Sequence, residues 1–204
     1  MKNSGVTKTL ILDRDGILIK DTHLLTSFAD VEPKLQVRDC LLSLAKQNWQ
    51  FIIASNQTVV SRGLLTEKDC WKLHHKIVEL FKPVNFLKSY LCFHHPKASL
   101  PEYRQDCDCR KPRPGMINQA INDFSLNKGD TYFVGDRPSD IIAGNLAGVH
   151  SLQLMGEKSK SPIIESTTLI EEGFSTPLKS SHSFIDLAEF IESHHESIKE
   201  GELL

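Results

Sequence analysis

The stretch Thr9-Leu10-Ile11-Leu12-Asp13-Arg14-Asp15-Gly16 decides the reading of this chain. A short apolar run passes directly into two acids that are separated by one residue and closed by glycine. Such a run, bounded by a turn signal, reads as a buried strand. Its carboxyl end then carries Asp13 and Asp15 at the edge of a sheet, and Gly16 permits the turn that lets Asp15 face back into a site there. Taken alone, Asp-x-Asp-Gly also fits a plain turn or a calcium loop, so the rest of the chain has to decide.

Working outward, apolar runs alternate with amphipathic stretches. The patterning predicts strands over 8–12, 51–54, 86–92, 131–134 and 151–154. It predicts helices over 37–47, 66–81, 116–124, 139–147 and 184–193. Thr66 with Asp69 three residues on is close to a capping box, and Pro114 is a start signal for the third helix. This alternation predicts an α/β fold, a Rossmann-like doubly wound and mostly parallel sheet flanked by helices. Ligands of such sheets bind outside the carboxyl ends of the strands. Asp13, Ser55 and Asp136 each follow an expected strand and should converge there. About forty residues separate Asp13 from Ser55, which leaves no room for a large cap domain. One domain is expected over 1–204, with a polar, loop-rich segment over 156–183, a short helix near 163–172, and a frayed end from His194.

Composition narrows the class. The chain has 204 residues, is 40% hydrophobic and 25% charged, and carries a net charge of −2, values ordinary for a soluble globular protein. There is no broad positive footprint for nucleic acid or anionic membrane. No run approaches a membrane span, and the N-terminus has no apolar signal core. A cytoplasmic monomer is expected, with no nucleic-acid or membrane partner. Five cysteines, an odd number, argue against a disulfide framework.

The remaining polar segments suit phosphate transfer. An aspartate can attack phosphorus and form an aspartyl-phosphate, so Asp13 is a candidate nucleophile. Asp15 can protonate the leaving oxygen and later activate water. Asp13 and Asp136, with a backbone carbonyl near Asp15, would suit Mg²⁺, a hard cation that prefers oxygen ligands. Asp140 could hold a water on that metal or serve as an acid at a helix N-terminus; the sequence leaves both open. Ser55 and Asn56 could grip phosphoryl oxygens, and Lys111 offers a positive charge to the transition state. Arg110 could bind a second phosphate through its fork, and Arg62 is a further candidate phosphate contact.

Cys92-Phe93-His94 and Cys107-Asp108-Cys109 supply three thiolates and an imidazole, a closed tetrahedral shell for a structural Zn²⁺. Such an ion would pin the loop over 92–109 and hold Arg110 and Lys111 over the site. Cys40 and Cys70 fall on expected helices and read as apolar fillers.

Together, Asp13-Arg14-Asp15-Gly16, Ser55-Asn56-Gln57, the zinc loop, Cys109-Arg110-Lys111-Pro112 and Gly135-Asp136 resemble the haloacid dehalogenase superfamily of phosphatases. Within it they resemble the histidinol-phosphatase and heptose-bisphosphatase branch, over roughly residues 7–155. The resemblance implies Asp13 as nucleophile, Asp15 as acid/base, Lys111 as the phosphate-stabilising lysine, and Asp136 as a Mg²⁺ ligand. It implies a Mg²⁺-dependent phosphomonoesterase acting on a small phosphorylated sugar, with the 7-phosphate of a heptose bisphosphate the leading substrate. Alternatives are histidinol phosphate, a non-catalytic phosphosugar-binding role, and a phosphatase of nucleic-acid ends. The chain departs from the family pattern at Ile17, over 21–25 and at Thr58 and Val59, positions expected in loops that shape the substrate pocket.

Overall fold

The computed structural model describes residues 8–156 and 176–200. Six strands form one parallel sheet: β1 Lys8–Leu12, β2 Trp49–Asn56, β3 Phe86–Cys92, β4 Thr131–Gly135, β5 His150–Leu154 and β6 Lys179–Ser181. Their order is β3-β2-β1-β4-β5-β6. The helices are α1 Leu35–Lys46, α2 Thr58–Ser61, α3 Glu67–Glu79, α4 Gly115–Phe124, α5 Pro138–Ala147 and α6 Phe184–Glu200.

The central strands β1, β2, β4 and β5 are buried on both faces, as a parallel sheet covered by helices requires. Successive side chains alternate between faces. Leu10 and Leu12 of β1 join Phe51, Ile53, Tyr132 and Val134 in a core shared with α1, α3 and α6. Ile11, Ile52 and Phe133 point the other way, into a core shared with α4 and α5. The Thr66 hydroxyl accepts the Asp69 N–H and so caps α3. Gly148, at φ +77°, closes α5, a left-handed position that glycine occupies without steric cost.

The strand order reverses at β1, where β2 and β4 lie on either side in register with it. The crevice at such a switch point is where ligands of this fold class bind. The chain between β1 and β2 holds only a strap, one 3-10 turn (Phe28–Asp30) and α1, so no cap domain covers that crevice.

The departures from expectation are local. The short helix expected near 163–172 lies outside the described residues. A sixth strand, Lys179–Ser181, forms within the stretch read as loop. The end expected to fray at His194 continues as helix to Glu200, because tertiary contacts hold it. His194 stacks on Phe190 and hydrogen-bonds to the Tyr132 hydroxyl at 2.7 Å, while His195 is buried against Trp49. α2 was not expected. Its Val59 and Val60 are buried with Cys70 and Phe93, and Ile17 lies in the main core. The departures at Ile17 and Val59 therefore fill the interior rather than shape a pocket. Among the described residues no helix is long and apolar enough to cross a membrane.

Candidate active site

The carboxyl ends of β1, β2 and β4 deliver Asp13, Ser55 and Asp136 to one edge, as the topology demands. The cleft there is lined by Asp13, Asp15, Ser55, Asn56, Arg110, Lys111 and Asp140, together with His23, Thr58, Arg137 and Ser139. It encloses about 120 Å³. That volume has room for a phosphoryl group.

Lys111 is the electrostatic centre of this cleft. Its side chain is fully buried, with Nζ 3.0 Å from Asp13 Oδ2 and 2.7 Å from Asp140 Oδ1. Nζ also donates to the Ala54 carbonyl at 2.9 Å and lies over the Phe133 ring. Burial pulls the lysine pKa down, but the charges of Asp13 and Asp140 more than offset it, and the ammonium is held above its ordinary value. Asp140 is thus a fully buried partner of Lys111. Its Oδ2 also accepts the Arg137 N–H at 2.9 Å, closing the first turn of α5. A side chain on Gly135 would place its Cβ 2.1 Å from the Asp140 Cβ, so glycine there lets the acid come in.

Asp13 is fixed at both oxygens, since the Arg14 N–H donates to Oδ1 at 2.7 Å while Oδ2 faces Lys111. Carboxylate oxygens of Asp13, Asp136 and Asp140 all lie within 4.8 Å of one another. Burial, then the charges of Asp140 and Asp13, push the Asp136 carboxyl up to about 7. Its Oδ1 is buried with no hydrogen-bond partner among the described residues. A cluster carrying more negative charge than Lys111 neutralises, with an unpaired carboxylate oxygen, fits a hard cation held by oxygen. Gly16, at φ +85°, makes room for it, because a Cβ there would sit 2.0 Å from Asp136 Oδ2. The Asp15 carboxylate is not part of this cluster. It faces the Arg14 guanidinium and the Gln57 amide instead.

The loop that carries Lys111 is positioned from two sides. Asn56 pairs with its backbone: the side-chain amide donates to Lys111 O at 3.0 Å and accepts from Lys111 N at 3.1 Å. The Asn56 amide, read from the sequence as a phosphate grip, is committed to this docking. On the other side, Cys92, His94, Cys107 and Cys109 bring three sulfurs and Nδ1 together. The sulfurs are 3.1–3.6 Å apart and His94 Nδ1 is 3.4 Å from Cys109 Sγ. Those separations are too long for disulfides and near the edge of about 3.8 Å that a tetrahedron with Zn–S of about 2.3 Å would have. The hydrogen bond between Cys109 and Cys92 pushes the Cys109 thiol down to about 5 and, together with burial, raises the Cys92 thiol. Arg110 donates to the His94 carbonyl at 3.1 Å, which ties the cluster to the cleft.

Arg62 is exposed at the end of α2 and is not brought to the cleft lining. His23 and Arg137 are, though the sequence did not single them out. Arg137 reaches across to pair with Asp21. His23 sits at φ +70° with its N–H bonded to Asp21 Oδ1 at 2.8 Å. Its place within 21–25, the stretch that departs from the family pattern, was the available signal for His23.

Comparison with known proteins identifies the class. The family model for HAD-hydrolase-like proteins matches residues 108–172, the stretch that carries Arg110, Lys111, Asp136 and Asp140. Site and sheet are those of a haloacid dehalogenase-type phosphatase. The D-glycero-alpha-D-manno-heptose-1,7-bisphosphate 7-phosphatase of Photorhabdus laumondii is 36% identical over 149 residues, covering 70% of this chain and 79% of the relative. The D-glycero-beta-D-manno-heptose-1,7-bisphosphate 7-phosphatase of Escherichia coli K12 is 32% identical over 151 residues, covering 69% and 74%. The structure of a D,D-heptose 1,7-bisphosphate phosphatase from B. bronchiseptica, complexed with magnesium and phosphate, shares the fold. Its TM-score is 0.74 at 22% identity, over 92% of this chain and 99% of that one. The chain belongs to the haloacid dehalogenase superfamily of phosphatases, in the branch of the heptose-bisphosphate 7-phosphatases.

Proposed function

We propose that this phosphatase is a magnesium-dependent phosphomonoesterase that works through an aspartyl-phosphate on Asp13. Its substrate is D-glycero-D-manno-heptose 1,7-bisphosphate, from which it removes the 7-phosphate. The observation that carries the reading is the buried Lys111, held between Asp13 and Asp140 in a cleft with room for a phosphoryl group. Asp13 and Asp136 would hold Mg²⁺ together with the backbone carbonyl of Asp15. When bound, the ion neutralises phosphate charge, so that an anionic nucleophile can approach an anionic ester.

In the first step an oxygen of Asp13 bonds to phosphorus, the ester P–O bond breaks, and Asp15 gives its proton to the leaving sugar oxygen. In the second, Asp15 takes a proton from water as that water attacks the aspartyl-phosphate. Inorganic phosphate leaves and the Asp13 carboxylate is restored. Lys111 stays in place through both steps and offsets charge on the transferring group. Ser55 and Thr58 line the same cleft.

Arg110 and Arg137 line the cleft as well, with His23 beside them, and the two guanidinium groups suit a second phosphate. An amino-alcohol substrate such as histidinol phosphate would need a free acid for its ammonium group. The acids lining the cleft, Asp13, Asp15 and Asp140, are each engaged by Lys111 or Arg14. The Cys92, His94, Cys107 and Cys109 cluster would hold a structural Zn²⁺ that keeps Arg110 at its post through the His94 carbonyl.

The test is Mg²⁺-dependent phosphate release from heptose 1,7-bisphosphate and from histidinol phosphate, side by side, with Asp13→Asn as the blank. A kcat/KM for the bisphosphate at least about tenfold higher is expected, since a charged contact left unmatched costs about 1–3 kcal/mol. Equal or better turnover of histidinol phosphate overturns the substrate assignment. Undiminished turnover by Asp13→Asn overturns the mechanism.

A further inference from the structure

Arg14, the residue between the two aspartates, is among the largest fully buried side chains in the molecule. Its charge does not reach the cleft. The guanidinium turns onto Asp15, with Nε donating to Oδ1 at 2.8 Å and Nη2 to Oδ2 at 2.9 Å. Nη2 also donates to Gln57 Oε1 at 2.7 Å. Gln57, itself buried, returns its amide to Asp15 Oδ2 at 2.8 Å and to Ser55 Oγ at 3.1 Å. Its backbone N–H is bonded to the Cys92 carbonyl at 2.7 Å, which anchors it to the end of β3. Asp15 keeps a quarter of its side chain exposed, on the side that lines the cleft.

Burying a guanidinium is costly, and a buried ion pair is no better for stability than apolar packing of the same volume. What a planar fork provides, and an apolar filler or a point charge does not, is orientation. We propose that Arg14, assisted by Gln57, is a positioning residue for proton transfer. Its fork fixes the Asp15 carboxylate in the pose from which it gives a proton to the leaving oxygen and later takes one from water. The proposal rests on the reading of Asp15 as the acid and base.

Proton donation matters in proportion to the basicity of the leaving group. A sugar alkoxide needs it and a nitrophenolate does not. The experiment therefore compares kcat/KM for heptose 1,7-bisphosphate and for p-nitrophenyl phosphate in wild type, Asp15→Asn, Arg14→Lys and Gln57→Leu. Arg14→Lys keeps the charge and loses the fork. It is expected to lose about 100-fold on the sugar phosphate and less than about fivefold on the aryl ester, as loss of positioned acid catalysis predicts. With the aryl ester it should release one nitrophenolate per chain in a burst, then turn over slowly, because hydrolysis of the aspartyl-phosphate still needs a placed base. Gln57→Leu, which leaves the fork in place and guards against misfolding of the first variant, should show the same selectivity at about tenfold. Uniform losses on both esters in both variants, or full activity on the sugar phosphate, overturn the positioning role. If Asp15→Asn itself shows no leaving-group selectivity, Asp15 is not the acid and the proposal falls with that reading. A selective Asp15→Asn beside uniform Arg14→Lys and Gln57→Leu sinks the positioning role alone.

Discussion

Replacing Lys111 by methionine removes the buried cation that, among the described residues, pairs with both Asp13 and Asp140. Methionine matches the lysine stem in length, so packing is nearly conserved and the change is electrostatic. The carboxylates of Asp13, Asp136 and Asp140, whose oxygens lie within 4.8 Å of one another, then share the interior without compensation. Breaking a buried pair by removing one partner costs about 3–5 kcal/mol. With a urea slope of about 2 kcal/mol/M for a chain of this size, the unfolding midpoint should fall by about 2 M. The role of Asp140 that survives the loss of the lysine, accepting the Arg137 N–H, needs no charge, so Asp140→Asn added to Lys111→Met should recover about 1–3 kcal/mol, a coupling typical of contacting residues. Asparagine can still accept the Arg137 N–H that closes α5. Neither variant should regain activity. Urea unfolding of wild type, both single variants and the double, in metal-free buffer, measures the coupling directly. Strict additivity, or a Lys111→Met protein within about 1 kcal/mol of wild type, would show that the lysine does not hold this cluster together.

Gly16→Ala should separate folding from metal binding. The φ of +85° costs an L-residue about 1–2 kcal/mol, and the new Cβ would displace the Asp136 carboxylate. A carboxylate moved by about 1 Å should lower activity about 100-fold, with a raised Mg²⁺ requirement in a metal titration; unchanged Mg²⁺ dependence would refute the assignment of Asp136. His74 is fully buried on α3. Burial, then the Arg14 charge, pull its pKa down from 6.5 to about 3. Between those values the unfolded chain binds a proton that the folded chain refuses, so stability is lost as pH falls, by about 1.4 kcal/mol per pH unit. His74→Leu should flatten that acid limb by up to one proton in urea midpoints taken from pH 7 to pH 4; an unchanged slope would show that His74 does not titrate this way. Metal analysis should find one tightly held zinc per chain, and Cys107→Ser should lose it. That variant should also raise KM for the bisphosphate as Arg110 drifts, and a zinc-free protein with full stability and unchanged KM would refute the cluster's role.

Much of this was legible in the sequence, because it is local. The apolar run before Asp13 specifies β1 through burial on both faces. The same reasoning places β4, and the spacing of three cysteines and one histidine marks out the Cys/His cluster. Asp13, Ser55 and Asp136 could be brought together because an open parallel sheet has one ligand-binding edge. The residues that escaped are those whose partners are distant. Arg14 reads as a spacer until Gln57, 43 residues on, receives it. Asn56 reads as a phosphate contact until the Lys111 backbone, 55 residues on, takes both ends of its amide. Asp140 stood open between a metal-linked water and a helix terminus, and Lys111 settles what it faces. The helical end of the chain, with His194 and His195 packed on Tyr132 and Trp49, was read as frayed for the same reason. Propensity and periodicity fix which segments are strands and helices. Which polar side chain can be buried, and in what charge state, depends on the hydrogen-bond partner that folding places beside it, and that partner is outside any sequence window.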